Sequence, residues 1–249
     1  MKWLRVFALC LISVLPQFAK RKLYKWLFGY EIKRRARLGL CYLDCQELVV
    51  DDDTRIGHFV VFSRCGKVEI GKKVRIGMFN MFRGGQLIRL EDYSEVLRMN
   101  VINAIPDNDC VNNPDPTFIL GYGSVVTAEH RIDFTDKVSI GKCSILGGRN
   151  SSIWTHNRRK GYPVRIGDHC YVGSEIRIAP GGSIGDCCIV GIGSVITKPF
   201  SETFCLIAGV PAKIRRTLDS DDYELIFGNT RSDLPQQKYP DIPEVLKSK

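Results

Sequence analysis

An aliphatic side chain recurs at every sixth position through Ile166, Val172, Ile178, Ile184, Val190 and Ile196, and a small residue follows it in five of the six cases (Gly167, Gly173, Ala179, Gly185, Gly191). These observations predict an all-β chain wound as a parallel β-helix, because a period of six suits neither an amphipathic helix nor a lone strand. Each hexapeptide supplies one short strand and a corner, with the aliphatic residue inward and glycine or aspartate at the turn. Three such sides make a coil of about eighteen residues. That spacing stacks Ile166 over Ile184, Val172 over Val190 and Ile178 over Ile196. Shorter pieces of the register occur earlier, at Ile56/Phe62, Ile70/Ile76/Phe82, Leu120/Val126/Ile132 and Ile140/Leu146.

A stack of coils is open at both ends and needs covers. Residues 1–45 and 217–249 are the expected covers, flanking a repeat domain over 46–216. In the tail, Tyr223 to Phe227 reads as a short helix ended by Gly228, and Pro235 to Lys249 as loose and polar. The first segment has a character of its own. Residues 1–40 hold ten Lys/Arg against one acidic residue, Glu31, so the formal charge of +9 resides there and the remainder is balanced. A balanced body argues against a nucleic-acid-binding protein.

The apolar run Trp3 to Leu15, stopped by Pro16, is too short to span a bilayer and is not followed by a signal-type cleavage site. With the basic-aromatic stretch Lys20 to Tyr30 it is expected to lie on a membrane surface. Packing as a helix on the protein's own core, or anchoring in the membrane, are the alternatives.

The ten cysteines include no C-x-x-C pair. They read as small core residues in a reducing compartment. Cys170 and Cys188, eighteen apart, are expected to stack in adjacent coils, and Cys187 to point outward. The four histidines show no H-x(3 to 5)-H spacing, so no metal is expected.

His156 opens an irregular stretch, Asn157 to Pro163, that breaks the register just before the regular coils, and a loop ejected from a β-helix wall is a natural place for chemistry. Asn100 to Phe118, rich in Asn, Asp and Pro, is a second irregular stretch. His58 and His169 lie within repeats, with His169 expected on the surface.

The I-G-D hexapeptides resemble the left-handed β-helix acyltransferase superfamily. Thr155-His156 followed by Ile166-Gly-Asp-His-Cys-Tyr-Val-Gly-Ser174 resembles its sugar O-acetyltransferases, and particularly those of bacterial surface polysaccharides. Gly191-Ile-Gly-Ser-Val-Ile-Thr-Lys198 and Gly209-Val-Pro-Ala-Lys-Ile-Arg-Arg216 resemble the family's coenzyme-binding end, with Ile192 where the family usually has alanine.

The resemblance implies a left-handed coil, a homotrimer, acetyl-CoA as donor, a carbohydrate hydroxyl, lipid-linked or otherwise, as acceptor, with Asn100 to Phe118 as a candidate acceptor-side loop, and a place on the cytoplasmic face of a bacterial inner membrane. It makes His156 the general base, with His130 of the His130-Arg-Ile-Asp133 element as second choice. Ser174 and the backbone at Ile192 fall along the pantetheine arm. Thr197 and Lys198 fall at the nucleotide end, with Lys213 and Arg216 as cations for its phosphates. A soluble small acceptor, and a scaffold without catalysis, remain as alternatives.

Overall fold

The computed structural model describes residues 2–105, 112–157, 159–228 and 234–235. It is a parallel β-solenoid of about eight turns, with two helices before the first coil and a short helix after the last. The predicted stacking is present: Ile166 pairs with Ile184, Val172 with Val190 and Ile178 with Ile196. Their side chains are buried, as are the earlier members Ile56, Phe62, Ile76, Phe82, Val126, Ile132 and Leu146.

Each coil has three faces. The first runs through Ile56, Ile76, Val96, Val126, Leu146, Val172 and Val190. The second runs through Phe62, Phe82, Ile102, Ile132, Ile153, Ile178 and Ile196. The third runs through Ile70, Leu90, Leu120, Ile140, Ile166 and Ile184.

The I-G-D signature has a local cause at the corner from third face to first. A Cβ on Gly167 would lie 2.6 Å from the Gly185 carbonyl carbon, so the coils approach too closely there for any side chain. The aspartate that follows bonds across coils: Asp168 accepts the Lys142 N–H at 2.8 Å, and Asp186 accepts the Asp168 N–H at 2.9 Å. Two residues further on, a small side chain points inward and caps its neighbour. Ser124 Oγ accepts the Ser144 N–H at 2.8 Å, Ser144 Oγ accepts the Cys170 N–H at 2.9 Å, and the Cys170 thiol donates to Gly185 O at 3.0 Å.

Cys170 and Cys188 therefore sit where serine sits in earlier coils, both buried and both free thiols. Among the described cysteines only Cys10 is exposed. Two surface assignments change. His169 is half-buried, its ring 5.0 Å from that of Phe227, because the chain returns along this corner after the last coil. Cys187, one coil above on the same corner, is buried rather than outward.

The helix α1 (Lys2–Ser13) and the helix α2 (Gln17–Phe28) pack on the first coil through Leu9, Ile12 and Tyr24, all buried in the one core. Strand pairing begins at Glu31–Ile32 and Arg37–Leu38, ahead of residue 46. The far end is closed by the antiparallel hairpin Cys205–Gly209/Ala212–Thr217, followed by helix α3 (Ser220–Tyr223) and a π-turn over Glu224–Gly228. The loose tail predicted over Pro235 to Lys249 lies, apart from Pro235, outside the described residues.

Candidate active site

Two coils are longer than their neighbours, and both swell at the corner between the second and third faces. The wall strand that ends at Asn103 resumes only at Thr117, and the one that ends at Ile153 resumes only at Val164. Between them lies a tight corner, Asp133 to Val138. The two irregular stretches seen in the sequence therefore emerge one coil either side of one turn.

They are clasped together. Asn112 donates from Nδ2 to Gly161 O at 2.7 Å and accepts the Gly161 N–H on Oδ1 at 2.9 Å, while Asp136 accepts the Asp115 N–H at 3.0 Å. Residues 106–111 and 158 of these stretches lie outside the described residues.

At this corner His156 Nδ1 lies 2.6 Å from Asp133 Oδ2. Asp133 is buried, and its carboxylate is saturated with donors. Oδ1 accepts the Thr135 N–H at 3.0 Å and hydroxyl at 2.7 Å, and Oδ2 accepts the Thr155 N–H at 3.2 Å and hydroxyl at 3.3 Å. Within such a shell of donors the carboxylate serves as the acceptor. Nδ1 must then carry the proton and donate, which leaves Nε2 with its lone pair and no partner among the described residues. The imidazole is partly open to solvent. The arrangement is a histidine held in one tautomer with its outer nitrogen free, the geometry of a general base.

Thr135 and Asn112 were not singled out in the sequence, and Asp133 and Thr155 entered only as neighbours of a histidine, with no role of their own. Asp133 closes the H-R-I-D element, whose histidine drew the attention instead. That histidine, His130, is fully buried at 0% exposure. Its Nδ1 accepts the Ser151 N–H at 3.1 Å, and Nε2 lies 2.9 Å from the Thr127 hydroxyl, which itself donates to backbone carbonyls. Burial pushes its pKa down to about 4, so the ring is neutral with both nitrogens engaged. It belongs to an internal polar ladder: Asn100 caps the His130 N–H, and Asn80 caps that of Asn100. His58 is structural too, accepting the Leu40 N–H at 3.1 Å.

The coenzyme-side residues fall into two groups. Ser174 and Ile192 stand one coil apart on the corner between the first and second faces, and Lys213 pairs with Ala208 beside that corner. Gly148 lies directly below Ser174, where a Cβ would come within 1.6 Å of the Ser174 hydroxyl. Ile192 is 75% exposed, so the side chain that departs from the family pattern stands clear of the wall.

Thr197 and Lys198 are on the other corner, with His156. The width of one face, about 17 Å at ~3.3 Å per residue, separates the groups within one chain. Arg216 belongs to neither: its guanidinium is paired with Asp222 and, at 3.1 Å, with Asp219, in the cap of α3. No group of three metal-ligating side chains occurs among the described residues.

These coils and this corner define a hexapeptide-repeat β-helix protein. No protein-family model matches the chain. It is similar to the galactoside O-acetyltransferase of Escherichia coli K12, 26% identical over 114 residues that cover 44% of this chain and 56% of that one. It is also similar to a chloramphenicol acetyltransferase of Agrobacterium fabrum C58, 37% identical over 63 residues, or 25% of this chain and 30% of that one. The chain thus spans about half or less of the length of these curated relatives. Among solved structures, a UDP-N-acetylglucosamine acyltransferase superposes with a TM-score of 0.50 at 15% identity over 80% of this chain and 79% of that one, a likeness of fold. By sequence the similarity is to acetyltransferases, and by fold to an acyltransferase.

Proposed function

We propose that the protein is an acetyl-CoA-dependent O-acetyltransferase acting on a carbohydrate hydroxyl in bacterial surface-polysaccharide assembly. The observation that carries this reading is the Asp133–His156 pair, which leaves one basic nitrogen facing outward beside two ejected loops. Nε2 of His156 takes the proton of the acceptor hydroxyl as its oxygen attacks the thioester carbonyl. The tetrahedral adduct collapses, the C–S bond breaks, and the proton passes from His156 to the leaving thiolate. Products are the sugar ester and free CoA. Asp133 fixes the tautomer and steadies the imidazolium while the proton is in transit.

The similarity to a galactoside O-acetyltransferase supports a sugar acceptor. So do Trp154 and Tyr162, exposed on either side of His156 in sequence, whose flat apolar rings suit sugar C–H faces. The split of the coenzyme-side residues between two corners supports a homotrimer in which one subunit's Ser174 corner meets its neighbour's His156 corner. Lys198 and Lys213, both exposed, are the phosphate cations of the proposed site.

The reading is tested with purified protein and a panel of surface glycans, following CoA release. Wild type turns over and His156→Ala falls by at least about 100-fold with acetyl-CoA binding retained. Absence of acetyl-CoA binding by wild type would overturn the reading.

A further inference from the structure

We infer that residues 3–28 dock the protein on the surface of an anionic lipid bilayer. The helical hairpin has two opposed sides. Its inner side is committed to the first coil. Arg5 pairs with Asp44 at 2.8 Å and donates to Cys45 O at 2.8 Å, Gln17 and Lys20 bond the Leu38 and Gly39 carbonyls, and Leu9, Ile12 and Tyr24 are buried.

The outer side is an apolar stripe at helical spacing. Trp3 (87% exposed), Leu4, Phe7, Leu11 and Val14 run along α1 and beyond it; Phe18, Trp26 (80% exposed) and Leu27 lie on α2. Interleaved with the aromatics of α2, at the spacing Phe18, Lys22, Lys25/Trp26, stand two exposed lysines. Residues 1–30 contain no acidic side chain at all.

Charge decides which occupant fits. A second copy laid face to face would oppose two lysine-bearing stripes with no carboxylate between them, whereas anionic headgroups complement the lysines and the acyl boundary receives Trp, Phe and Leu. Each helix has twelve residues, about 18 Å at ~1.5 Å per residue, and none of the described helices is long and apolar enough to cross a membrane. The hairpin therefore lies on the bilayer rather than through it, with its depth limited by the coil to which it is tied.

Docking also sets a reach. Along the second face, Leu43, Phe62, Phe82, Ile102, Ile132 and Ile153 are successive register partners. Five strand spacings at ~4.8 Å place the Asp133–His156 corner about 24 Å along the axis from the hairpin's coil. On the proposed function, the acceptor is then a hydroxyl on a membrane-tethered glycan within that distance of the headgroups. This consequence rests on the acetyltransferase reading. The docking does not.

The test uses the full chain and vesicles of phosphatidylglycerol with phosphatidylcholine, or of phosphatidylcholine alone, read by co-sedimentation. Wild type binds the anionic vesicles, and more weakly as salt rises. Lys22→Gln/Lys25→Gln lowers affinity by about 30-fold at low salt, at roughly five-fold per cation. Trp3→Ser/Phe7→Ser/Trp26→Ser loses binding by at least 100-fold while its thermal midpoint stays within a few degrees of wild type, because all three side chains are exposed. Failure of wild type to bind either vesicle overturns the inference, as does equal binding by the variants, or an effect of the triple change confined to self-association. None of these readouts needs turnover, so docking and catalysis can fail separately.

Discussion

His156 Nδ1 and Asp133 Oδ2 stand 2.6 Å apart on successive coils at one corner, with the carboxylate held by four further donors from Thr135 and Thr155. Replacing Asp133 with asparagine keeps the volume but offers Nδ1 an amide that no longer demands its proton. Asp133→Asn is expected to lower kcat by about 100-fold or more, with little change in acetyl-CoA affinity. A loss of acetyl-CoA affinity in step with kcat would instead mark Asp133 as part of the coenzyme site.

The internal histidine gives a pH signature in stability rather than in activity. His130 has a folded pKa of about 4 against an ordinary value near 6.5. As pH falls through that window the unfolded chain takes up a proton that the folded chain refuses, so stability is full above the window and declines within it, by roughly 3 kcal/mol across its whole width. Urea unfolding from pH 7 to pH 4.5 should show this decline in wild type and a shallower one in His130→Gln. Parallel curves would remove His130 from the account.

Two glycines on one corner separate sterics from backbone conformation. Gly148 and Gly193 have φ of 65° and 71°, but a Cβ at Gly148 meets the Ser174 hydroxyl at 1.6 Å, whereas one at Gly193 meets nothing within 4 Å. Gly193→Ala is expected to cost about 1 kcal/mol. Gly148→Ala should cost more and also weaken acetyl-CoA binding by displacing Ser174. Chemical denaturation with calorimetric binding distinguishes the two.

The basic residues of the coenzyme-binding end are expected to divide. Arg216→Ala should loosen the tail, which it holds through Asp219 and Asp222, and leave the acetyl-CoA Kd within about two-fold. Lys198→Ala and Lys213→Ala should each raise it by about five-fold or more, as loss of a phosphate cation does. A large effect of Arg216→Ala would mean that the arginine leaves its carboxylates to meet the nucleotide.

The last coils were legible in the sequence because nothing interrupts their eighteen-residue spacing, and Ile166, Val172 and Ile178 stack as the period demands. The first coils were less so: Ile56, Ile76 and Val96 stack at a spacing of twenty, and two extra corner residues dislocate a six-residue pattern. His156 was marked by the loop it opens. Asp133 was not, because its partner lies 23 residues away, across a corner and into an inserted loop whose closure no local spacing encodes. His169 was misplaced for a similar reason, since Phe227, far later in the chain, packs against its ring.

Acetyl transfer with His156 as the base is tested by single-turnover CoA release from bound acetyl-CoA in the presence of glycan acceptors, wild type against His156→Ala. Wild type should release CoA and yield an acetylated sugar, and the variant should hold a bound but silent coenzyme. Equal release from both proteins would contradict that role.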